Sequence, residues 1–311
     1  MKLFQTVEDF SSSKNTIITI GTFDGVHIGH RKILNKIIQS AHDLHCESLV
    51  LTFFPHPRMI LQEDSVVKLL NTMEEKIVLL QDIGIGNLIV HPFDKEFSQL
   101  TAEEFVKNIL VDQLKVQKII IGYDHRFGRN RTANINDLIL FGDKYGFEVE
   151  QISAQEIDAI AVSSTKIRNA LANGTISLAN EYLGYNYFFT GTVVKGKQLG
   201  RTIGFPTANI HIKEDYKLIP KNGVYLVKSL LNGKLIYGMM NIGIRPTLKN
   251  GNQTIEVHYL DFKEDLYEQE ITVEIIEFIR EEHKFDSLEA LKNQIQKDRD
   301  FCISYIHNTT L

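Results

Sequence analysis

GTFDGVHIGH, residues 21–30, decides how the first half of the chain is read. A short apolar run, Thr16 to Ile20, precedes it and reads as a strand. After it, Ile33, Leu34, Ile37, Ile38 and Ala41 recur at helical spacing. The decapeptide therefore sits on a strand-to-helix turn. Free backbone N–H groups and the positive end of the helix dipole attract phosphate at such a turn. Gly21, Gly25 and Gly29 let a ligand come close to the backbone around Phe23 and Asp24. His27 and His30 share one side of the first helical turn. There they suit donating hydrogen bonds to a nucleotide's phosphates as charge builds up in a transition state. His42 and His45 have the same spacing but neither the glycines nor a preceding strand, and they read as a solvated helix end.

Working outward, strand-like runs at 16–20, 48–54, 87–91, 118–122 and 147–152 are rich in Ile, Leu, Val and Phe with little alternation. Strands buried on both faces look like this. Helical patterns near 30–44, 74–83, 102–111 and 134–145 lie between them. The alternation predicts a parallel sheet with right-handed crossovers, which binds ligands beyond the carboxyl ends of its strands. Past residue 183 the texture changes. Tyr187–Val194, Gly223–Leu230, Lys234–Ile242, Thr254–Phe262 and Glu270–Ile279 read as strands without intervening helices. Asn232-Gly233 and Asn250-Gly251 are hairpin signals. This half is expected to be an antiparallel β-barrel or sandwich closed by a helix at 287–299, with Asp286 and Glu289 as a capping pair. The expected fold class is α/β plus β, with domains at 1–183 and 184–311.

The 311 residues exceed what one compact core usually holds, in keeping with two domains. No apolar run is long enough for a membrane span, and MKLFQTVEDF lacks the regions of a signal peptide. Cys46 and Cys302 are too few and too far apart for a disulfide framework or a cysteine zinc site. A cytoplasmic protein is expected. Residues 1–183 hold 18 Lys+Arg against 23 Asp+Glu, and residues 184–311 hold 16 of each. Neither half is basic, which weighs against nucleic acid as a partner.

Three further segments of the first half carry chemistry. FFPHPR (53–58) sets His56 between prolines after a buried strand. IGYDHRFGRNR (121–131) clusters Asp124, Arg126, Arg129 and Arg131 in a glycine-bounded loop. It reads as a solvated surface or as a support for phosphate. VSSTKIR (162–168) places Ser163, Ser164 and Thr165 before a helical run, as helix caps or, with Lys166 and Arg168, as a phosphate clamp. In the second half, KGKQLGRTIGFPTANI (195–210) has glycines at 196, 200 and 204. On an extended segment Thr207 and Asn209 offer oxygen on one face, a reasonable Mg²⁺ site together with phosphates and waters. No GxxxxGK[ST] segment is present, so a kinase here needs a different phosphate cradle. Glu256, in TIEVHYLDF, points to the opposite face from Ile255 and Val257.

His27-Ile28-Gly29-His30 resembles the HxGH signature of nucleotidyltransferases that cleave ATP between the α and β phosphates. The four N-terminal segments in this order resemble the FMN adenylyltransferase module of prokaryotic bifunctional riboflavin kinase/FAD synthetases. PTAN (206–209), with GVY (223–225), NIGIRPT (241–247) and DLYEQ (265–269), is similar to the riboflavin kinase module. The resemblance implies a Rossmann-like nucleotidyltransferase sheet and a riboflavin-kinase barrel. It gives His27 and His30 a role in binding ATP and stabilising the transition state, and the SSTxIR segment a role in holding the triphosphate. It makes Glu256 the catalytic glutamate and brings Arg245 near the flavin or nucleotide. Tyr123 and His125 depart from the family's usual G-E-(N/D)-F-x-F-G, while Asp124, Phe127 and Gly128 match it, and Ala133 replaces a common glycine.

The implied function is phosphorylation of riboflavin by ATP to FMN, then adenylylation of FMN to FAD. The implied cofactor is Mg²⁺, and the partners are riboflavin, FMN and ATP, in a monomer or weak homo-oligomer. Two alternatives stay open: only one module active, or a flavin-binding regulatory protein without catalysis. An adenylyltransferase for another phosphate ester leaves PTAN without a role.

Overall fold

The computed structural model describes residues 1–61, 67–122, 125–153, 162–196, 199–244 and 253–309. Six strands of the first half form one sheet: β1 (Lys2–Phe4), β2 (Thr16–Ile20), β3 (Glu47–Phe54), β4 (Asn87–Pro92), β5 (Val116–Gly122) and β6 (Glu148–Ile152). Every pairing is parallel, in the order β1-β4-β3-β2-β5-β6. β2 is buried along its whole length, as an unalternated run at the centre of a sheet covered on both faces must be. Ile18, Leu49, Leu51 and Ile119 pack on one face with Val106 and Leu110. Edge strand β1, three residues long, is too short to read from the sequence.

Helices fill the crossovers: α1 (Ile28–Asp43), α2 (Pro57–Leu61), α3 (Met73–Ile83), α4 (Ala102–Glu104, continuing as a π-helix over Phe105–Gln113) and α5 (Ile135–Tyr145). α1 buries Ile33, Leu34, Ile37 and Ala41 of the predicted stripe and half-buries Ile38, while His42 and His45 at its end are exposed. The chain winds one way from β2 through β3 to β4, then returns to β5 on the other side of β2. That reversal opens a crevice at the carboxyl ends of β2 and β5, the usual ligand position in such sheets.

The second half is a closed antiparallel barrel of β7 (Phe188–Val194), β8 (Ala208–His211), β9 (Gly223–Leu231), β10 (Lys234–Ile244), β11 (Gln253–Tyr259) and β12 (Glu270–Arg280). The order is β10-β11-β8-β7-β12-β9. Val227, Met240, Val257 and Ile210 lie near one another around the wall and are buried inside it. Asn232 and Gly233, both at positive φ, turn β9 into β10, so this hairpin is as predicted. The turn at Asn250-Gly251 lies outside the described residues. Contacts divide the chain into Met1–Ser164 and Thr165–Leu311, so helices Ser164–Asn173 and Ile176–Leu183 group with the barrel.

The terminal helix, Leu288–Thr309, runs further than expected. Its cap is Ser287 rather than the predicted Asp286 and Glu289: Ser287 Oγ accepts from the Ala290 N–H at 3.1 Å. A serine hydroxyl one residue closer to the first turn reaches that N–H, leaving Asp286 outside the cap. The helix covers Leu226 and Met239 with Cys302. It is tied to the barrel by Arg280, whose Nε and Nη2 donate to both oxygens of Asp298 at 2.8–3.1 Å. Gln294 Nε2 donates to the same carboxylate at 2.9 Å. The Asp298 side chain is 4% exposed, so it depends on these partners. Asp298→Ala is expected to cost about 3 kcal/mol, the scale for breaking a buried pair. Amide exchange should quicken along residues 288–309 and stay unchanged in the sheet unit. Unchanged exchange in the helix would mean the pair does not hold it.

Candidate active sites

The 21–30 loop is strained and held from several sides. Phe23 and Val26 lie at φ 47° and 36°, and Gly25 at 87°. A β-branched residue at positive φ is costly, so the surroundings must enforce it. The Val26 N–H donates to the Phe23 carbonyl at 3.1 Å, and Arg31 Nε donates to the Val26 carbonyl at 3.3 Å. Asp24 is buried. Its Oδ1 accepts from the Leu70 N–H and its carbonyl accepts from Ser164 Oγ, each at 2.9 Å. A Cβ on Gly21 would meet the Phe23 ring at 3.1 Å, so this position admits only the smallest residue without a shift.

His27 is the N-cap of α1, and its Nδ1 accepts from the His30 N–H at 3.3 Å. A ring nitrogen that accepts carries no proton, so the proton of the neutral ring is on Nε2, a donor available to an anion. The two imidazoles stack at 3.6 Å between centroids, and the Phe23 ring meets His30 edge-on at 5.2 Å. Burial pushes the His27 pKa down to about 4. Burial, then the neighbouring His27 and Lys76 charges, hold His30 well below the usual imidazole range. His30 Nδ1 is buried with no hydrogen-bond partner among the described residues. The pair is therefore held neutral at a helix N-terminus.

His56 follows β3 and repeats this device: it precedes α2, and its Nδ1 accepts from the Arg58 N–H at 3.1 Å. β3 neighbours β2 in parallel register, so both loops leave the same edge of the sheet. Arg126 follows β5 at that edge and is exposed. Its loop is anchored by a Phe127–Ala133 bridge and by the Arg129 N–H, which donates to the Leu100 carbonyl at 2.8 Å. Tyr123, Asp124 and Arg245 lie outside the described residues. The helix Ser164–Asn173 starts one residue inside the predicted cap series. Ser163 and Thr165 are exposed and Arg168 is half-buried, with Thr165 and Arg168 sharing a helical face. Among the predicted residues of this half, the described structure joins Asp24 to Ser164 and His30 to both His27 and Phe23.

Sequence reasoning passed over Lys76. It lies on α3 and is 3% exposed, and its Nζ donates to the Thr22 carbonyl at 2.7 Å. One signal was available: Lys76, Leu79 and Leu80 share the buried stripe of α3, where a lysine is out of place.

In the barrel, register brings three residues into a row on the outer face: Asn241 of β10, Glu256 of β11 and Asn209 of β8. Thr207 Oγ1 donates to Glu256 Oε2 at 3.2 Å. A Cβ on Gly196 would collide with the Asn209 amide, and one on Gly200 with the Phe205 carbonyl. These two glycines therefore allow close approach around the row. Gly204, at φ 88° with open space beside it, serves the turn itself. His258, two residues along from Glu256, has Nδ1 2.8 Å from the Pro206 carbonyl, which can only accept. Sequence reasoning also missed Asn241 and His258, because only the pairing of strands brings them here.

Among the described residues, no group of three His, Cys, Asp or Glu could hold a metal. Thr207 and Asn209 instead supply neutral oxygens, and the glycine at 196 keeps space beside the amide. That set fits a hard cation shared with phosphate oxygens.

A sheet with a glycine-bounded loop at its reversal point and a barrel with a polar Thr–Asn–Glu row give the chain two modules, and the family matches make it a transferase with two activities. Residues 9–166 match the FAD synthetase family, and residues 183–306 match the riboflavin kinase family. A Listeria monocytogenes protein named bifunctional riboflavin kinase/FMN adenylyltransferase is 40% identical over 91% of this chain and 90% of its own length. An Escherichia coli protein of the same name is 37% identical over 96% of each. The chain belongs to the bifunctional riboflavin kinase/FMN adenylyltransferase family and carries both of its modules, the equipment for making FAD from riboflavin. A solved Streptococcus pneumoniae structure described as a macrolide-efflux protein is 28% identical, with a TM-score of 0.87 over 96% of this chain and 97% of that one. The efflux description belongs to that protein. In this chain no helix among the described residues is long and apolar enough to cross a membrane.

A direct check of the imidazole pair is its titration. The folded chain takes up the His27 proton only near pH 4, whereas the unfolded chain does so near the ordinary 6.5. The unfolded state thus binds more protons between these values, and stability falls as pH drops through the interval. The expected slope is about 1.4 kcal/mol per pH unit per imidazole. NMR titration of the ring nitrogens should show His27 neutral at pH 5.5; a charged ring there would refute the assignment.

Proposed function

We propose that the N-terminal module transfers the adenylyl group at the 21–30 loop, and that the barrel phosphorylates riboflavin at the Thr207–Asn209–Glu256 row. The observation that carries this reading is the contact between Thr207 Oγ1 and the Glu256 carboxylate, with Asn209 opposite Glu256 in register. It gathers a base and two oxygen donors at one point of the barrel. The functional boundary is taken at 183, giving an adenylyltransferase region of 1–183 and a kinase region of 184–311, because the second family match begins there.

In the barrel, Glu256 takes the proton from the 5′-hydroxyl of riboflavin as that oxygen attacks the γ-phosphorus of ATP. The bond to the β–γ bridging oxygen breaks, leaving FMN and ADP. Thr207 and Asn209 would hold a divalent cation, for which Mg²⁺ is the proposed ion. When bound, it supplies charge neutralisation on the transferring phosphoryl group. Gly196, Gly200 and Gly204 shape the loop that covers the phosphates, and Arg245 is assigned to the flavin side.

In the sheet module, a phosphate oxygen of FMN attacks the α-phosphorus of ATP in line. The bond from that phosphorus to the α–β bridging oxygen breaks, and pyrophosphate leaves. The nucleophile is already an anion, so positioning and charge stabilisation supply the catalysis. His27 and His30 donate to the triphosphate as charge builds on it. Gly21, Phe23, Asp24 and Gly25 form the loop. His56, Asp124, Arg126, Ser163, Ser164, Thr165 and Arg168 are assigned to holding phosphates around it. The enzyme is read as a cytoplasmic monomer or weak homo-oligomer acting on riboflavin, FMN and ATP. Its acidic net charge of −5 supports small-molecule substrates over nucleic acid.

The test is product chromatography with riboflavin or FMN as starting material. Glu256→Gln should abolish FMN formation and leave FMN-to-FAD conversion intact. His30→Ala should stop the reaction at FMN. Loss of both activities in either variant would contradict independent sites, and FAD synthesis by His30→Ala at the original rate would remove its role. Thr207→Ala, with one oxygen donor fewer, should raise the Mg²⁺ concentration needed for half-maximal FMN formation. An unchanged Mg²⁺ requirement would remove Thr207 from the cation site.

A further inference from the structure

We propose that Lys76 is a positioning residue for adenylyl transfer: its buried ammonium locks the strained 21–30 loop through the Thr22 carbonyl and sets the charge beside His30. The inference rests on the reading of that loop as the adenylyl-transfer site.

An ammonium taken out of water is expensive, and a lysine on the apolar stripe of a helix persists only where its surroundings reward it. Three observations show what Lys76 does there. Its Nζ donates to the Thr22 carbonyl at 2.7 Å, one residue before Phe23 at φ 47°. The segment leading into α3 makes a second tie to the same loop, since the Leu70 N–H donates to Asp24 Oδ1 at 2.9 Å. The charge of Asp24 favours the charged form of Lys76, and the charge of Lys76 disfavours protonation of His30. One ammonium thus pins the start of the loop, faces its buried carboxylate and helps keep its second imidazole neutral. Lys76 is placed to act through the loop, which makes it a positioning residue rather than a catalytic one.

The charged and titratable groups coupled to this ammonium are Asp24 on the loop and His30 on α1, with Glu75 beside it on its own helix. Glu75 is engaged in the α3 cap, where its Oε2 accepts from the Thr72 N–H at 2.9 Å. Burial lowers the Lys76 pKa to about 8, against the pull of Asp24. The ammonium therefore loses its proton as pH rises through 8, while the His27 transition lies far below, near 4. If the charge positions the loop, adenylyl transfer must weaken on that alkaline side. The relevant quantity is kcat/KM for FMN, which reports groups of the free enzyme.

The experiment measures kcat/KM for FMN adenylylation against pH in the full chain and in Lys76→Met and Lys76→Arg. Riboflavin phosphorylation by the same preparations is the internal control for folding of the other module. The wild type should decline above pH 8. Lys76→Met should lose about 100-fold in kcat/KM, the scale of a mispositioned substrate, and should lose the alkaline limb. Lys76→Arg, which keeps its charge, should move the limb to higher pH whatever its absolute rate. Kinase activity should stay unchanged in all three. A wild-type profile flat across the alkaline range overturns the inference, even if Lys76→Met fails to fold. So does Lys76→Met turning over at the wild-type rate. FAD formation by the wild type with no effect of either variant sinks this inference alone. Absence of FAD from the wild type at every pH sinks the reading of the loop as well.

Discussion

The N-terminal module depends on one reversal in strand order. Parallel strands joined by right-handed crossovers march outward from β2 to β4, and the chain then returns to β5 on the other side of β2. Loops on either side of the reversal lean away from each other, and the space between them opens at the carboxyl ends of β2 and β5. The 21–30 loop fills the end of β2, so its strained backbone and the N-terminus of α1 face that space. Placed after an edge strand, the same decapeptide would meet solvent and lose the desolvation that keeps His27 and His30 neutral.

The barrel solves a related problem by register. Pairing of β8, β10 and β11 sets Asn209, Glu256 and Asn241 abreast on the outer face, while Ile255 and Val257 are buried on the inner one. A slip of one residue in β11 would turn Glu256 inward and Val257 outward. The apolar interior thus enforces the position of the carboxylate. Closure of the sheet extends this constraint around the whole wall, and the Arg280–Asp298 pair ties the terminal helix over it.

Both modules treat charge sparingly. The imidazoles of the sheet module are kept neutral by burial, and one of them is committed to its tautomer by the helix cap. The buried lysines each answer a defined partner, Lys76 the Thr22 carbonyl and the Asp24 field and Lys217 the Phe188 carbonyl, and half-buried Arg280 pairs with the Asp298 carboxylate. The proposed phosphate sites are thereby lined mainly by oriented N–H groups and neutral oxygens, which need little reorganisation when a ligand arrives.

By itself, the sequence determined the element types, the parallel-then-antiparallel architecture and the motif residues His27, His30, Thr207, Asn209 and Glu256. Most of these rest on local information: the period of apolar residues, a glycine-bounded loop, a hairpin dipeptide; Glu256 is singled out only by the resemblance to the riboflavin kinase family. Even there, local chemistry misplaced the cap of the terminal helix, since Asp286 and Ser287 are both good caps and only the helix start decides between them. The tertiary structure decided everything that depends on distant residues meeting. Lys76 reaches Thr22 across 54 positions, and Thr207 reaches Glu256 across 49. A lysine in a helix and a glutamate in a strand look like solvated surface until the sheet order and the barrel register bring them against a loop. Which buried charge serves which backbone follows from packing between segments far apart in the chain, and no local periodicity encodes it.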